Sequence, residues 1–319
     1  MPKYDLDADA VINETDAPSP SAHSAAFQGY TSLWSVEEDI ERTNTHYDLP
    51  AEFFVTFTGG RWSCYSCNLW EGATTETESQ ERKFDLLAEL MELRPGQRVL
   101  DVGSGWGGGL VYLAKRYGVS GIGISLSPSQ RAYATERAER EQVAAVDFRV
   151  CHWRDLEDAE RFDAVYSDEV VCHFKDLAGY FGKVKGLLKP GGRMLNKELH
   201  LTSSRYLRQT KAGAFLTSII AGTGEYRILH DELAILDRAG FALEQVRQIP
   251  AVNFQKTMDA WYKNLQAARA RLEELVGAQE YRRHQIYFRF ARRTFADSPV
   301  SVDIVLARPI DRRAVQTDE

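Results

Sequence analysis

The chain is poor in cysteine, carries no excess of basic charge and contains no long apolar run. Four cysteines in 319 residues are too few for a disulfide framework. No apolar stretch approaches the roughly 18 residues of a membrane-spanning helix. The 39 basic residues are outnumbered by 46 acidic ones, a net charge of −7, which is the wrong sign for a nucleic-acid partner. Residues 1–25 are polar and rich in Ser, Pro, Asp and Ala, without the basic and apolar blocks of a secretory signal. Cys64 and Cys67 form a C-x-x-C with no second pair to complete a zinc site, and no aspartate-rich metal motif occurs. These absences predict a cytoplasmic globular enzyme with no transmembrane segment. The apolar share, 44%, is enough for a full core.

Residues 1–28 read as a flexible leader. From Glu76 the pattern turns helical: Phe84, Leu87, Leu90 and Met91 share a face, and Pro95-Gly96 is the expected stop. Arg98 to Val102 reads as a buried strand that runs into Gly103-Ser104-Gly105-Trp106-Gly107-Gly108 and then a helix to Tyr117. Val119–Ser125 is the next strand. Ser127 caps the following helix, with Pro128 at its first position and Gln130 placed to close a capping box. Strands are expected at Val146–Val150, Phe162–Ser167 and Gly192–Lys197, with a helix at Leu177–Leu188. Strands alternating with helices predict an α/β fold, a mainly parallel sheet with helices on both faces. Residues 200–228, rich in Arg, Lys and aromatics, break the pattern as an insertion. Helices are then expected at His230–Ala239, Phe254–Leu275 and Ala278–Phe295, and a last strand at Val300–Leu306.

A glycine loop after the first strand sits where open α/β sheets take ligands. Gly103, Gly105 and Gly108 match the dinucleotide spacing, a weak signal alone. The second strand ends Gly123-Ile124-Ser125-Leu126-Ser127 with no acid to hold a ribose, which disfavours NAD.

Val99-Leu100-Asp101-Val102-Gly103-Ser104-Gly105-Trp106-Gly107 resembles the first motif of class I S-adenosylmethionine (SAM) methyltransferases, a Rossmann-like fold. Three more segments resemble the cyclopropane fatty acid and mycolic acid cyclopropane synthases. They are His46-Tyr47-Asp48-Leu49 with Phe53-Phe54, then Tyr65-Ser66-Cys67, and Lys256-Thr257-Met258-Asp259-Ala260-Trp261. The resemblance runs from about Asn44 to about Pro309. It implies a cap over 29–75, a methyltransferase domain over 76–309 with substrate-side elements at 200–228 and 254–295, and a tail at 310–319.

The resemblance also implies site residues. Tyr47, Tyr65 and Ser66 would close over the methionine end of SAM. Asp101, Gly103, Ser104 and Gly105 would face it from below, Leu126 and Gln130 would line the ribose side, and Trp153 would pack on the adenine. For Trp153 the alternative is a core aromatic. Cyclopropane synthases hold a bicarbonate that acts as base. Here the matching positions are Cys172 and Lys197, a poor ligand and an unscreened positive charge, so that site is expected to be absent or rebuilt. Asp163 through His173 resembles sterol side-chain methyltransferases and geranyl diphosphate methyltransferases. The latter carry a Glu at the place of Glu169. Glu169 is the expected base toward a carbocation, with Asp168 as competitor. Tyr287 matches a Tyr near the reaction centre.

Arg205, Tyr206, Arg208 and Lys211, with His173, are expected substrate contacts. The Arg and Lys groups suit a diphosphate, which would recruit Mg²⁺, and the alternative is a solvated basic helix face. The expectation is a SAM-dependent C-methyltransferase of terpene biosynthesis, acting on a short isoprenyl (prenyl) diphosphate. The alternatives are methylation or cyclopropanation of a lipid acyl chain, or C-methylation of a sterol or other natural product. Whether the chain forms a homo-oligomer stays open.

Overall fold

The computed structural model describes residues 35–47, 49–157, 161–203, 226–296 and 300–310. Two helices lead the described chain, α1 (Val36–Tyr47) and α2 (Ala51–Thr58), followed by α3 (Glu76–Leu90). The α/β unit follows: β1 (Arg98–Val102), α4 (Gly108–Tyr117), β2 (Ser120–Ser125), α5 (Pro128–Arg140), β3 (Val146–Val150) and β4 (Phe162–Asp168). Next come α6 (Leu177–Leu187), β5 (Leu188–Leu201), β6 (Arg227–Ile228), α7 (Leu229–Arg238), β7 (Phe241–Ile249), α8 (Ala251–Ala267), α9 (Arg269–Ala296) and β8 (Val300–Pro309). The eight-stranded sheet runs β3-β2-β1-β4-β5-β8-β7, with β6 paired to β5. β1 to β5 pair with one another in parallel, whereas β8 is antiparallel to both β5 and β7. The order reverses between β1 and β4, and the crevice at the carboxyl ends of such strands is where α/β sheets take ligands.

The inner parallel strands read as predicted because they are covered on both sides: all of β1 after Arg98 is buried. β7 escaped the pattern. It is an edge strand in which Leu243 through Gln248 are exposed, so no apolar run announces it. The helix from Glu76 stops at Leu90, before Pro95, where Glu92 takes a left-handed turn (φ +52°). Its capping box is Thr75 with Glu78. The one expected after Ser127 is half made. Ser127 accepts from the Gln130 amide, but the Gln130 side chain accepts from Ser125 Oγ at 2.7 Å instead of reaching back. The expected C-terminal helix pair divides at Ala268, and Gly277 (φ +81°) interrupts α9.

One core lies between the sheet and α2, α8 and α9. There Phe53, Phe54 and Phe57 meet Trp261, His284 and Phe288. The other lies beneath α6 and α7 on the opposite face. On that face β5 carries buried polar groups. His200 Nε2 pairs with Glu232 Oε2 of α7 at 3.0 Å and its Nδ1 with Asp303 Oδ2 of β8 at 3.2 Å. Asn196 donates to Glu232 at 2.6 Å, and Ser167 donates to Asn196 at 2.6 Å. This chain of bonds ties α7 and the antiparallel strand to the parallel half of the sheet.

Burial works against a charged His200, but Asp303 and Glu232 outweigh it and raise the imidazole from 6.5 to about 10. A raised folded value stabilises fully below about pH 6.5, and that contribution disappears as pH climbs toward 10. His200→Gln should therefore cost about 3–5 kcal/mol near neutrality, because it strands buried carboxylates. Urea unfolding of both proteins should show the gap narrowing from pH 7 to pH 10, and a gap independent of pH would remove the charge from the account.

Candidate active site

The loop after β1 turns through left-handed backbone at Gly103 (φ +77°) and Gly105 (φ +50°). Gly103 and Ser104 both donate their amides to the Ile124 carbonyl at 2.9 Å, which fixes the loop against the end of β2. A Cβ on Gly103 would strike the methyls of Val170, at 2.4 and 2.6 Å. A Cβ on Gly105 would meet no atom within 4 Å. Gly103 is thus a close-packing glycine, and Gly105 leaves room for a ligand. The loop forms one wall of a cavity of about 580 Å³, counting its open mouth. Asp101, Gln130, Tyr65, Ser66, Lys83 and Glu169 also line it.

Beneath the cavity sits a cluster of four charges. Asp168, the last residue of β4, lies opposite Lys197 of β5 in the strand register. Lys197 Nζ donates to Asp168 Oδ1 at 2.7 Å and to Glu169 Oε1. Lys83 Nζ, from α3, lies 2.8 Å from Asp168 Oδ2 and 2.5 Å from Ser66 Oγ. Ser66 Oγ donates to Asp168 Oδ2 at 2.7 Å, and the Cys67 amide donates to Glu169 Oε1 at 2.8 Å. Both lysines are fully buried. Two ammoniums face two carboxylates, so the cluster is formally neutral, the condition under which buried charge is tolerated.

The electrostatics sort the acids. Burial alone would raise Asp168, but Lys197 and Lys83 hold it well below the usual carboxylate range. Asp168 is held between two ammoniums, which disfavours its taking up a proton. Burial pushes Asp101 up to about 7, against the bond it accepts from Tyr166 Oη at 2.6 Å. Burial also raises Cys64, and it pushes Cys67 up to about 12, so neither thiol is a poised nucleophile. Glu169 has a left-handed backbone (φ +60°). Non-glycine residues held there store about 1–3 kcal/mol and concentrate at functional sites.

The expected site residues divide into groups. Tyr65, Ser66, Asp101, Gly103, Ser104, Gly105, Gln130 and Glu169 share the cavity wall. Tyr65 is braced by Phe54, Phe57 and Trp261. Leu126 is half-buried between β2 and α5, and His173 is half-buried at the end of a short turn, Val171–His173. Neither is among the lining residues. Trp153 is buried against Phe174 and Tyr180, under the Arg154 guanidinium. Tyr287 is buried beside Phe288 in the core under α9. Those two therefore stand in the places of core aromatics. The backbone of Tyr47 ends α1, but its side chain, like all of Arg205, Tyr206, Arg208 and Lys211, lies outside the described residues. The expectation that Lys197 is unscreened is corrected, because two carboxylates neutralise it. Lys83 was missed. It sits next to Phe84 on a helix face that reads as solvated, and only its fold partner Asp168 reveals its role.

The residues present fit SAM. Gly105 leaves open space at the backbone, Gln130 is oriented by Ser125, and acidic groups in the lining would favour a sulfonium and an ammonium.

Removing Lys197 alone leaves the cluster with excess negative charge. Lys197→Met should cost about 3–5 kcal/mol, and the double variant Lys197→Met/Glu169→Gln should recover part of that loss. Guanidinium unfolding of the singles and the double measures the coupling, and strictly additive losses would show that the two side chains do not act as a pair.

The comparisons with known proteins agree with this architecture. The family model described as mycolic acid cyclopropane synthetase matches residues 35–304. A cyclopropane mycolic acid synthase 2 of Mycobacterium bovis is 30% identical over 297 residues, 85% of this chain and 95% of that protein. The S-adenosylmethionine-dependent methyltransferase UmaA of Mycobacterium tuberculosis is 28% identical over 260 residues, 77% of this chain and 90% of that protein. The solved cyclopropane synthase MmaA2 from Mycobacterium tuberculosis superposes with a TM-score of 0.79 at 22% identity, covering 84% of this chain and 97% of that one. With the family model matched over most of its length, the chain belongs to the mycolic acid cyclopropane synthetase family and is a SAM-dependent methyltransferase.

Proposed function

We propose that the chain methylates an alkene carbon of a long-chain acyl lipid and that Glu169 takes the proton released afterwards. The observation that carries this reading is Glu169 in the wall of the cavity, beside the glycine loop and anchored by Lys197 and Cys67. The family and the relatives supply the lipid class.

Bound SAM supplies a methyl electrophile. Gly103, Ser104, Gly105, Asp101 and Gln130 are the residues that would hold it. The alkene π pair would take the methyl as the S–CH3 bond breaks, S-adenosylhomocysteine would be released, and the neighbouring lipid carbon would carry the cation. Asp168 is locked by two ammoniums, so it contributes a fixed negative charge and does not take the proton. Both bonds that anchor the Glu169 carboxylate fall on Oε1, which aims the group while Oε2 can accept a proton. Loss of that proton from an adjacent carbon leaves a methyl-branched alkene, and loss from the added methyl closes a cyclopropane. Tyr65, held edge-on by Phe54 and Phe57, adds an aromatic face to the same wall. Buried Phe, Trp and Leu side chains behind it keep water from the cation.

A second reading, methylation of a short isoprenyl diphosphate, is favoured by one feature. Lys197, which matches a bicarbonate-site position of the cyclopropane synthases by resemblance, is here ion-paired, and a carboxylate stands at position 169 as in the prenyl diphosphate enzymes that the segment resembles. Its diphosphate grip would come from Arg205, Arg208 and Lys211, with Mg²⁺.

One assay separates the two. Purified protein and SAM are offered oleoyl phosphatidylglycerol vesicles, or isopentenyl, dimethylallyl, geranyl and farnesyl diphosphates with and without Mg²⁺, and products are read by mass spectrometry. Methylated acyl chains are the expected product, and methylation confined to the diphosphates would overturn the lipid assignment. Glu169→Gln should lower turnover about 10²–10⁴-fold while S-adenosylhomocysteine affinity stays within about twofold. Turnover of Glu169→Gln at the parent rate would exclude the base.

A further inference from the structure

Glu169 opens a tight turn whose backbone is gripped from two sides. The Glu169 amide itself donates to the Lys197 carbonyl at 2.7 Å. Inside the turn, His173 donates to the Val170 carbonyl and Phe174 to the Val171 carbonyl, both at 3.0 Å. From β5, Glu198 Oε2 accepts the Cys172 amide at 2.9 Å, while its Oε1 accepts the Leu199 amide at 2.7 Å. From β6, Arg227 Nη1 donates to the Val171 carbonyl at 3.0 Å and Nη2 donates to the Phe174 carbonyl. Both side chains are almost wholly buried. Few arginines are spent, buried, on two carbonyls of one short turn unless that turn must stay in place.

We infer that Arg227 and Glu198 are positioning residues that clamp the 169–174 turn and so aim the Glu169 carboxylate into the cavity. The inference rests on the proposed role of Glu169. Three further observations fit it. Val170, second in the turn, seats its methyls where a side chain on Gly103 would be, so the clamped turn also bears on the glycine loop. The left-handed backbone of Glu169 needs external bonds to persist. Tyr226, immediately before Arg227, lies within the electrostatic reach of Glu169, Cys172, Glu198 and Tyr65; burial first, then these groups, push its phenol well up. The residue next to the clamp is therefore coupled to the groups of the turn, although it does not itself line the cavity. Neither Arg227 nor Glu198 lines the cavity, so each acts through the turn.

The test has an arm that needs no substrate. In Arg227→Met, hydrogen exchange of the amides of residues 169–174 should quicken about tenfold or more, while those of β1 keep their protection. S-adenosylhomocysteine affinity should stay within about twofold, and Arg227→Lys should restore part of the protection. Unchanged exchange in 169–174 would overturn the clamp. The second arm uses oleoyl phosphatidylglycerol vesicles or geranyl diphosphate, whichever the parent enzyme methylates. There Arg227→Met should lower kcat about 10–100-fold and alter KM about threefold or less. In a Glu169→Gln background, the same substitution should cost nothing more, because the group it aims is gone. An equal loss in both backgrounds would overturn the inference, since a general weakening of the fold is additive. Should Glu169→Gln turn over like the parent, the base assignment fails while the exchange arm still decides the clamp. Glu198→Gln, which keeps one acceptor oxygen, gives the same exchange readout if Arg227→Met does not fold.

Discussion

The site depends on the pairing of two buried lysines with two adjacent carboxylates. A lone buried ammonium would cost many kcal/mol or lose its proton. Lys83 and Lys197 remain charged because Asp168 lies between them and Glu169 caps the second. The pairing joins four parts of the chain. α3 brings Lys83, β4 ends at Asp168, β5 carries Lys197, and the loop before α3 adds Ser66 and the Cys67 amide. The Trp62–Ser66 part of the cavity wall is thereby tied to the sheet. Such placement is rigid, and misplacing a reacting group by an ångström is expensive.

The strand β5 does two jobs by virtue of its pleat. Successive side chains point to opposite faces. Lys197 serves the cavity, while Asn196, Glu198 and His200 serve the other side, where they hold α7, β8 and the turn after β4. The polar groups of one strand thus connect the catalytic turn with the antiparallel end of the sheet. Alternation of this sort also explains why the strand is so polar for a buried element. Each of these groups has a partner, and satisfied networks fix one arrangement of the neighbouring elements.

The chain shares its fold with the solved cyclopropane synthase MmaA2. At the floor of its own cavity, Lys197 and Glu169 make an ion pair inside the protein. Under the proposed role of Glu169, the acid would come from the chain itself, held by its own lysine.

Much of this was determined by the sequence alone. The buried strand Arg98–Val102, the glycine turn and the alternation of strands with helices follow from local rules: short apolar runs, left-handed glycines and capping residues. Those rules also placed Gly103, Gly105, Gln130 and Glu169 near one another, because a parallel sheet gathers the loops at its carboxyl ends. Only the tertiary structure decided which charges meet. Lys83 looks like any solvated helix lysine, Lys197 like an intruder in a strand, and Arg227 like part of a basic insertion. Lys197 lies 28 residues along the chain from its partner Glu169, and Arg227 lies 56 from Val171. The edge strand β7 was hidden for the opposite reason, since it is exposed and carries no apolar signal. Local pattern reports the burial of one segment at a time, whereas the neutrality of a buried cluster is a property of several segments together, and it exists only once the chain has folded.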